Sequence, residues 1–406
     1  SGQLVSEGKV VHIGDELSVG SYKQMQELLY CKLGLPVRLQ TFPEKGGFRQ
    51  INKLSGNPST DALAIQTALA EDMLDDPSDF WRKQVLETVL QVKEATTRIS
   101  FYHKPYPAWA HPTDGRIHPK IKNCGTVTRR PSATAPNVLA ASKHQEDGII
   151  RAVYKAYAED EMIVSVDFAQ QELVITGSES GDANLISCYV GANRRDVHSM
   201  TAAGIARVSY EDYIEAYKDP EHADHAKFVK IRKRSAKQTN FLMTYLGEAP
   251  TLSRKLIIPL TDAEGMMNAA YSTYPRIQPW QEEVIAYAKA NGYTQTAYGN
   301  RRHIGPAIFS DKNSERRRME RQGVNSVIQG TAADILKVVL TQCWTTNLWS
   351  DTGATLLGPV YDEITSSVPI SKIPEYIDRL VAIMSLTPPN HVAPMTADVS
   401  LGKNWN

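Results

Sequence analysis

Two aspartates stand at the ends of short apolar, β-type runs: Asp167 in Ile163-Val-Ser-Val-Asp167 and Asp362 in Pro359-Val-Tyr-Asp-Glu363. An aspartate at a strand end is ordinarily a turn or cap residue. Two of them side by side could instead hold a pair of divalent cations. Phosphoryl transfer to a hydroxyl uses two ions roughly 3.5–4 Å apart, held by carboxylates from different elements. Magnesium takes one or two carboxylates and completes its shell with substrate phosphates, so two aspartates suffice. Between them lies Arg232-Lys-Arg-Ser-Ala-Lys237-Gln-Thr-Asn-Phe241-Leu-Met-Thr-Tyr245. On a helix, Lys233, Lys237, Phe241 and Tyr245 recur every fourth residue and form one slowly drifting stripe, two ammonium groups followed by two aromatic rings. A nucleoside triphosphate presents phosphates, then sugar and base, which is the matching order. The alternative is a solvated basic face running into a core stripe, and the residues alone leave both open.

The elements that must position these groups are mixed. The first hundred residues read as mostly helical. A helix is expected from Ser21 to Leu33, with Ser21 as N-cap and Gln24 three residues later, stopped by Gly34 and Pro36. A second is expected near Asp61–Met73, and a third from Phe80 to Ile99 carries an apolar stripe of Trp81, Val85, Leu86, Val89, Leu90 and Val92. The Pro- and His-rich stretch Tyr102–His118 breaks the periodicity and reads as a boundary. Beyond it, Ile163–Asp167 reads as a strand and Lys227–Leu246 as a long helix. Thr261-Asp-Ala-Glu264 reads as a capping box opening another helix, which makes its Asp-x-Glu pattern structural rather than metal-binding. Asn325–Leu340 is helical again, and Thr355–Val368 reads as two strands around Tyr361-Asp-Glu363.

Composition narrows the setting. At 406 residues the chain has room for two or three domains or one composite fold. Its 45 basic and 45 acidic residues balance, which weakly opposes a nucleic-acid partner, since phosphates are neutralised by Lys and Arg. Local clusters restore that possibility: Lys227-Phe-Val-Lys-Ile-Arg-Lys-Arg234 and Arg316-Arg-Arg318 fit an enzyme with one basic groove. Cys31, Cys124, Cys188 and Cys343 are far apart with no CxxC pair, which argues against a disulfide scaffold or zinc site and for a reduced, cytoplasmic setting. The N-terminus lacks a signal-peptide pattern, and no apolar run approaches the ~20 residues of a membrane helix.

Taken together, the motifs resemble those of family A (DNA polymerase I-like) DNA polymerases. SVDFAQQEL resembles their first polymerase motif, the Lys233–Tyr245 helix their second, and VYDEI their third, in the family's order. GRIHPKIKNCGTVTRRPSATAPN (115–137), DVHSMTA (196–202), Tyr274-Pro275, GNRRHIGP (299–306), ERQGVNSVIQGTAADILK (320–337) and LSVGSYKQMQELLY (17–30) extend the likeness over nearly the whole chain. The resemblance implies an α+β right-hand fold: a helical thumb near 1–115, an antiparallel-sheet palm near 116–178 and 318–406, and helical fingers at 179–317. It implies extension of a primer along a DNA template from dNTPs, with two Mg2+ ions held by Asp167, Asp362 and the backbone carbonyl of Phe168. Lys237 would hold the triphosphate and give a proton to the leaving pyrophosphate. Gln170, Lys233 and His198 join the nucleotide set. Glu172 matches the steric gate against a ribose 2′-hydroxyl, Phe241 would stack over the incoming nucleotide, and Tyr245 would sit at the templating position. Arg130, Asn137, Arg321, Asn325, Gln329, Tyr361 and Glu363 match positions at primer and template. Arg321, Asn325 and Gln329 are four apart and share one helical face, from which donors can test pair geometry in the minor groove without reading sequence.

The chain departs from the family pattern at Lys233, usually Arg and able to make a bidentate fork; at Leu242 and Leu246, usually Gly; at Tyr361, usually His; and at Val174, often Arg. This drift suggests a bacteriophage type. Nothing before residue 20 matches the family's 3′–5′ exonuclease domain, and the last residues fall just short of the family's usual end. A fragment is implied, or a split gene whose other chain or upstream domain supplies the exonuclease. The rival readings are a single-subunit RNA polymerase, against which Glu172 argues, and a non-catalytic subunit of a split polymerase.

Overall fold

The structure is a computed structural model that describes residues 3–6, 9–12, 17–37, 39–42, 47–50, 57–71, 79–141, 148–192 and 194–405. They pack as two compact units, Ser1–Ile117 and His118–Asn406.

In the first unit, helix α1 (Tyr22–Gln26) starts where Ser21 caps it, the Ser21 hydroxyl accepting the Gln24 amide at 3.5 Å. The reciprocal half of a capping box does not form, because Gln24 Oε1 accepts from the amide of Ser18 at 2.8 Å instead. The helix continues as a π-helical segment, Glu27–Lys32. Helix α2 is Ala62–Glu71 and α3 is Phe80–Arg98; Asp72 and Met73 of the expected second helix lie outside the described residues. Met25, Leu28, Leu29, Ile65, Leu86 and Val89 form this unit's core. Trp81, Val85 and Leu90 of the apolar stripe join it, whereas Val92 is exposed.

The second unit is built on a four-stranded sheet of β1 (Glu161–Phe168), β2 (Thr355–Val360), β3 (Glu363–Pro369) and β4 (Ala397–Gly402), in the order β2-β3-β1-β4 and antiparallel throughout. Strand β1 is a continuous apolar run because it lies at the centre of the sheet, with Ile163 through Val166 all buried. Around the sheet lie α4 (Gln171–Ser180), α5 (Val197–Ala206), α6 (Lys237–Thr244), α7 (Ala249–Leu256), α8 (Leu260–Thr273), α9 (Ile277–Asn291), the 33-residue α10 (Asn313–Thr345) and α11 (Ile373–Met384). Val164, Val166, Ile175, Val324, Ile328 and Leu380 place the sheet, α4, α10 and α11 around one core. Val197, Leu242, Met243, Leu252, Tyr274 and Ile277 form a second, all-helical core. Val174 is wholly buried in the first core, where an arginine would carry an unpaired charge.

Two sequence expectations need correction. The stretch Lys227–Leu246 is helical, but its middle, Ile231–Ala236, is π-helical between His225–Lys230 and α6. The capping box at Thr261 does not form: the N-cap falls two residues earlier, at Pro259, with no side-chain cap bond.

Helix α10 is clamped to a hairpin, Tyr293–Gln295 with Arg301–His303. Thr296 Oγ1 and Asn300 Nδ2 both donate to the buried Asp334 carboxylate, at 2.7 and 2.9 Å, and the Ala297 amide donates to Thr331 Oγ1 at 3.1 Å. This close approach needs Gly330, where a Cβ would lie 2.7 Å from Thr296 Cγ2. Thr296 cannot rotate away without losing Asp334. Gly330→Ala should therefore cost about 1–3 kcal/mol through overpacking. Gly265→Ala in α8, where a Cβ meets nothing within 4 Å, should gain about 1 kcal/mol from helix propensity. Urea unfolding of the two variants checks the opposite signs; stabilisation by both would show that the α10–hairpin contact is loose.

Candidate active site

The sheet's register brings the two aspartates together. Pairing of β3 with β1 sets Glu363 opposite Asp167. The Phe168 amide donates to the Asp362 carbonyl at 3.1 Å, so Asp362 lies one step beyond Asp167 at the same sheet edge. Tyr361 and Asp362 form the two-residue connection between β2 and β3, since Val360 pairs with Glu363. Such hairpins need positive φ at the first position, and Tyr361 has φ +58°. A bulky residue there stores roughly 1–3 kcal/mol of strain, and His, the residue the resemblance expects, is among the types enriched in that region.

Glu363, expected among the residues at primer and template, is buried, at only 2% exposed. Trp405 Nε1 donates to its Oε1 at 2.7 Å and Arg151 lies 3.5 Å from its Oε2. The Arg151 guanidinium in turn stacks 3.8 Å from the Trp405 ring centroid. Burial lowers the Arg151 pKa from its usual value, opposed by the charges of Glu363 and Asp167. Sequence reasoning also missed Asp398, which β4 sets directly opposite Asp167 on its other side. Glu363, Asp167 and Asp398 thus form a row of acids across three strands, a repulsive arrangement unless cations offset it. Asp167, Asp362 and the Phe168 carbonyl offer only oxygen donors, the set a hard cation prefers. Among the described residues no cluster of three or more His, Cys, Asp or Glu is arranged to hold a metal.

Beside this edge opens a cleft of about 540 Å³, walled by Arg130, Gln170, Glu172, His198, Lys237, Phe241, Tyr245, Tyr361 and Asp362 together with six further residues. Nine residues chosen from sequence thus meet in one cavity. A larger depression of about 630 Å³, bounded by Glu179, Trp280, Thr294 and His391, holds none of them. Lys233 is exposed but not on the cleft wall, and Asn137 is exposed beside a short 3₁₀ turn away from it. Arg321, Asn325 and Gln329 form the half-exposed strip of the otherwise buried middle of α10. Arg321 lies 3.5 Å from Glu248.

Within the cleft the cations differ in availability. Arg130 pairs with Glu172. Arg232 forks onto Asp196 at 2.8 and 3.0 Å, and Arg234 donates to the Leu256 carbonyl at 2.9 Å. Neither arginine flanking Lys233 is therefore free to replace the missing fork. Lys237 is exposed and makes no ion pair among the described residues. His198 Nδ1 accepts from Asn240 Nδ2 at 3.0 Å, with Asn240 oriented by Thr201 donating to its Oδ1 at 2.7 Å. Burial lowers the His198 pKa, against the raising charge of Asp196. The imidazole is thus neutral at neutral pH, with the proton on Nε2. Gln170 caps α4 in the left-handed region and accepts from the Tyr189 hydroxyl at 2.8 Å. Burial and then the Glu172 charge raise the Tyr245 pKa, with nearby Gln329 acting against them.

The two leucines in place of glycines do not obstruct the cleft. Leu242 is buried in the helical core, and Leu246, at φ +54°, packs on the sheet's core. Glycine is needed one residue later instead: a Cβ on Gly247 would lie 2.6 Å from Leu242 Cδ2 and 3.0 Å from its carbonyl oxygen.

This fold is that of a nucleic-acid polymerase domain. It superposes with a TM-score of 0.78 on a structure described as the POL domain of Pol1 from M. smegmatis in complex with DNA primer-template and dNTP, at 24% identity, covering 97% of this chain and 62% of that one. The sequence model for DNA polymerase family A matches residues 4–406, and the chain belongs to that family. It is 29% identical over 394 residues to the thermostable DNA polymerase I of Thermus thermophilus, and 29% identical over 395 residues to that of Thermus aquaticus. Each alignment covers 97% of this chain and 42% of the relative. DNA polymerase I of Deinococcus radiodurans is 28% identical over 400 residues, 97% of this chain and 37% of its own length. The chain thus spans about two-fifths of the curated relatives it matches.

The buried Glu363 generates a stability prediction. Trp405→Phe keeps an aromatic surface under Arg151 but removes the Nε1 donor. Thr365 Oγ1, at 3.4 Å from Glu363 Oε1, is too far to replace a bond of 2.7 Å. The loss should be about 1–3 kcal/mol, read from the denaturant midpoint; an unchanged midpoint would show that the indole bond contributes nothing.

Proposed function

We propose that this chain is the catalytic portion of a DNA-templated DNA polymerase, which transfers dNMP from dNTP to a primer 3′-hydroxyl in replication or repair. The observation that carries this reading is the single cleft in which Asp362, Lys237, His198, Glu172, Phe241 and Tyr245 meet, beside the sheet edge that bears Asp167. Membership of family A supports it.

The residues divide the work by their chemistry. The unpaired ammonium of Lys237 binds the triphosphate and is placed to protonate the departing pyrophosphate, where a positioned charge is worth most. The neutral His198 presents Nε2–H as a phosphate donor without adding charge. Phe241, half-exposed, offers a ring face to the nucleotide. Glu172, paired with Arg130, fills the space beside C2′ and excludes a ribose. Arg321, Asn325 and Gln329 present donors to the minor groove of the newly formed pair. Two Mg2+ ions, held by Asp167, Asp362 and the Phe168 carbonyl, would activate the 3′-hydroxyl and offset charge on the transferring phosphoryl group.

The division into thumb (1–115), palm (116–178 and 318–406) and fingers (179–317) belongs to this proposal. So do a cytoplasmic setting, where these substrates are found, and a 3′–5′ exonuclease on an upstream segment or separate chain, consistent with the greater length of the relatives. No helix among the described residues is long and apolar enough to cross a membrane. A bacteriophage type rests on the departures at Lys233, Leu242, Leu246, Tyr361 and Val174 alone; the relatives described above are bacterial and lend it no support.

Primer extension tests the reading. Asp167→Asn and Asp362→Asn should each abolish extension while primer-template affinity stays within a few fold. Extension by either variant within about tenfold of wild type, only ~1.4 kcal/mol, would remove the two-metal assignment. Glu172→Ala should raise ribonucleotide use relative to deoxynucleotide use, and an unchanged sugar preference would put the gate elsewhere.

Phe241 supplies a finer test. A deoxynucleotide carries a 3′-hydroxyl that can bond its own phosphate, and Phe cannot replace that group in a dideoxynucleotide. The unfilled polar position costs roughly 1–3 kcal/mol, so wild type should discriminate about tenfold to over a hundredfold against ddNTPs. Phe241→Tyr should largely erase that discrimination while dNTP extension persists, as read by competition on one primer-template. Free acceptance of ddNTPs by wild type would place Phe241 away from the sugar.

A further inference from the structure

Lys255 belongs to no motif read from the sequence, yet it stands in the wall of the nucleotide cleft. It lies in the last turn of α7, exposed, with Nζ 5.1 Å from the centroid of the Phe241 ring. Its backbone is fixed. Leu252 and Leu256 are buried in the helical core, the Leu256 carbonyl accepts from Arg234 at 2.9 Å, and Ile257 ends the helix at φ +55°. Its side chain is not fixed: among the described residues the ammonium has no carboxylate partner, and its recorded contact is the ring. An exposed cation–π contact is weak, and a phosphate oxygen carrying full charge outcompetes it.

Three facts turn this placement into a role. Arg232 and Arg234 are committed to Asp196 and Leu256, and Arg130 to Glu172. The cations on the cleft wall without an acidic partner among the described residues are therefore Lys237 and Lys255. Tyr245 packs edge-on against Phe241, with ring centroids 4.8 Å apart and planes at 73°, and Lys255 Nζ lies near the same ring. A base or sugar entering against Phe241 meets a ring that the ammonium already contacts, and the same ligand brings phosphates within the reach of a lysine side chain.

We propose that Lys255 is a second phosphate-binding residue of the cleft, parked on Phe241 when the cleft is empty and transferred to a phosphate when it fills. The inference rests on the reading of the cleft as a nucleotide and DNA site. The phosphate has two sources, the incoming triphosphate or a DNA strand, and the experiment separates them. Lys255→Ala, Lys255→Glu and Lys255→Arg are compared with wild type in binding of primer-template, and in binding of dNTP to a complex whose primer ends in a dideoxynucleotide, so that neither measurement needs catalysis. If the triphosphate is the partner, Ala should weaken dNTP binding about tenfold, Glu more, and DNA affinity should hold. If a DNA strand is the partner, DNA affinity should fall with a log–log salt slope reduced by about one, while dNTP affinity holds. Arg should restore most of either loss, and melting temperatures should not move, since the side chain is exposed. Dissociation constants for both ligands within twofold of wild type in the Ala and Glu variants overturn the proposal. Absence of extension by wild type would overturn the polymerase reading, but would leave these two binding measurements able to decide the role of Lys255.

Discussion

The pairing of β1 with β3 is the constraint on which the site depends. Side chains alternate across a strand, so a register slip of one residue would turn Asp167 into the core and Val166 toward the acids. The register is fixed by its surroundings. Val164 and Val166 are locked in the core on one face. On the other, the Glu363 carboxylate is held by Trp405 and Arg151, which come from opposite ends of the second unit's sequence. A buried charge that loses one partner is strongly destabilised. The Glu363–Arg151–Trp405 group therefore acts as a register pin: misaligned pairing would strand a carboxylate in a dry environment. The hairpin at Tyr361 and Asp362 completes the constraint, since its two-residue length leaves no slack between β2 and β3.

Much of this was legible in the sequence, for identifiable reasons. Strand β1 showed as an apolar run ending in a carboxylate, the pair β2–β3 as two apolar runs about Tyr361-Asp-Glu363, and α3 and α10 as long periodic segments. The stripe Lys237–Phe241–Tyr245 is set by local helical spacing, so its convergence on the cleft could be anticipated. What sequence concealed is tertiary. Strand β4 sits at the sheet's edge with its residues largely exposed, so it lacks the alternation that announces a strand. Asp398 became relevant only through its register with Asp167. Glu363 reads as a surface acid until Arg151 and Trp405 are brought to it across long sequence separations. Lys255 is an unremarkable basic residue until α7 folds back over Phe241. The failed box at Thr261 shows a local signal overridden, the chain entering α8 through Pro259 two residues early.

Charge distribution explains how a chain with no net charge can present a cationic cleft. Most arginines around the cleft are spent on internal geometry: Arg232 ties the π-helical segment to the start of α5 through Asp196, and Arg234 ties it to the end of α7. These bonds leave the lysines, flexible point charges on long stems, to meet a ligand. The π-helical segment itself, Ile231–Ala236, has a wider turn than the α-helix that follows. It thus partly offsets the drift of the stripe where Lys233 hands over to Lys237.

Tyr245 lies in the field of Glu172 and near Gln329, and Glu172 in turn pairs with Arg130. Four side chains from four separate segments thus influence one another's charge. A ligand that pushes Tyr245 aside changes the surroundings of the Glu172 charge, so occupancy at the ring's position and occupancy beside Glu172 are energetically coupled. By linkage that coupling is reciprocal: whatever factor the first ligand applies to the affinity of the second, the second applies to the first. Two recognition events that chemistry could have kept independent are, in this chain, read out as one.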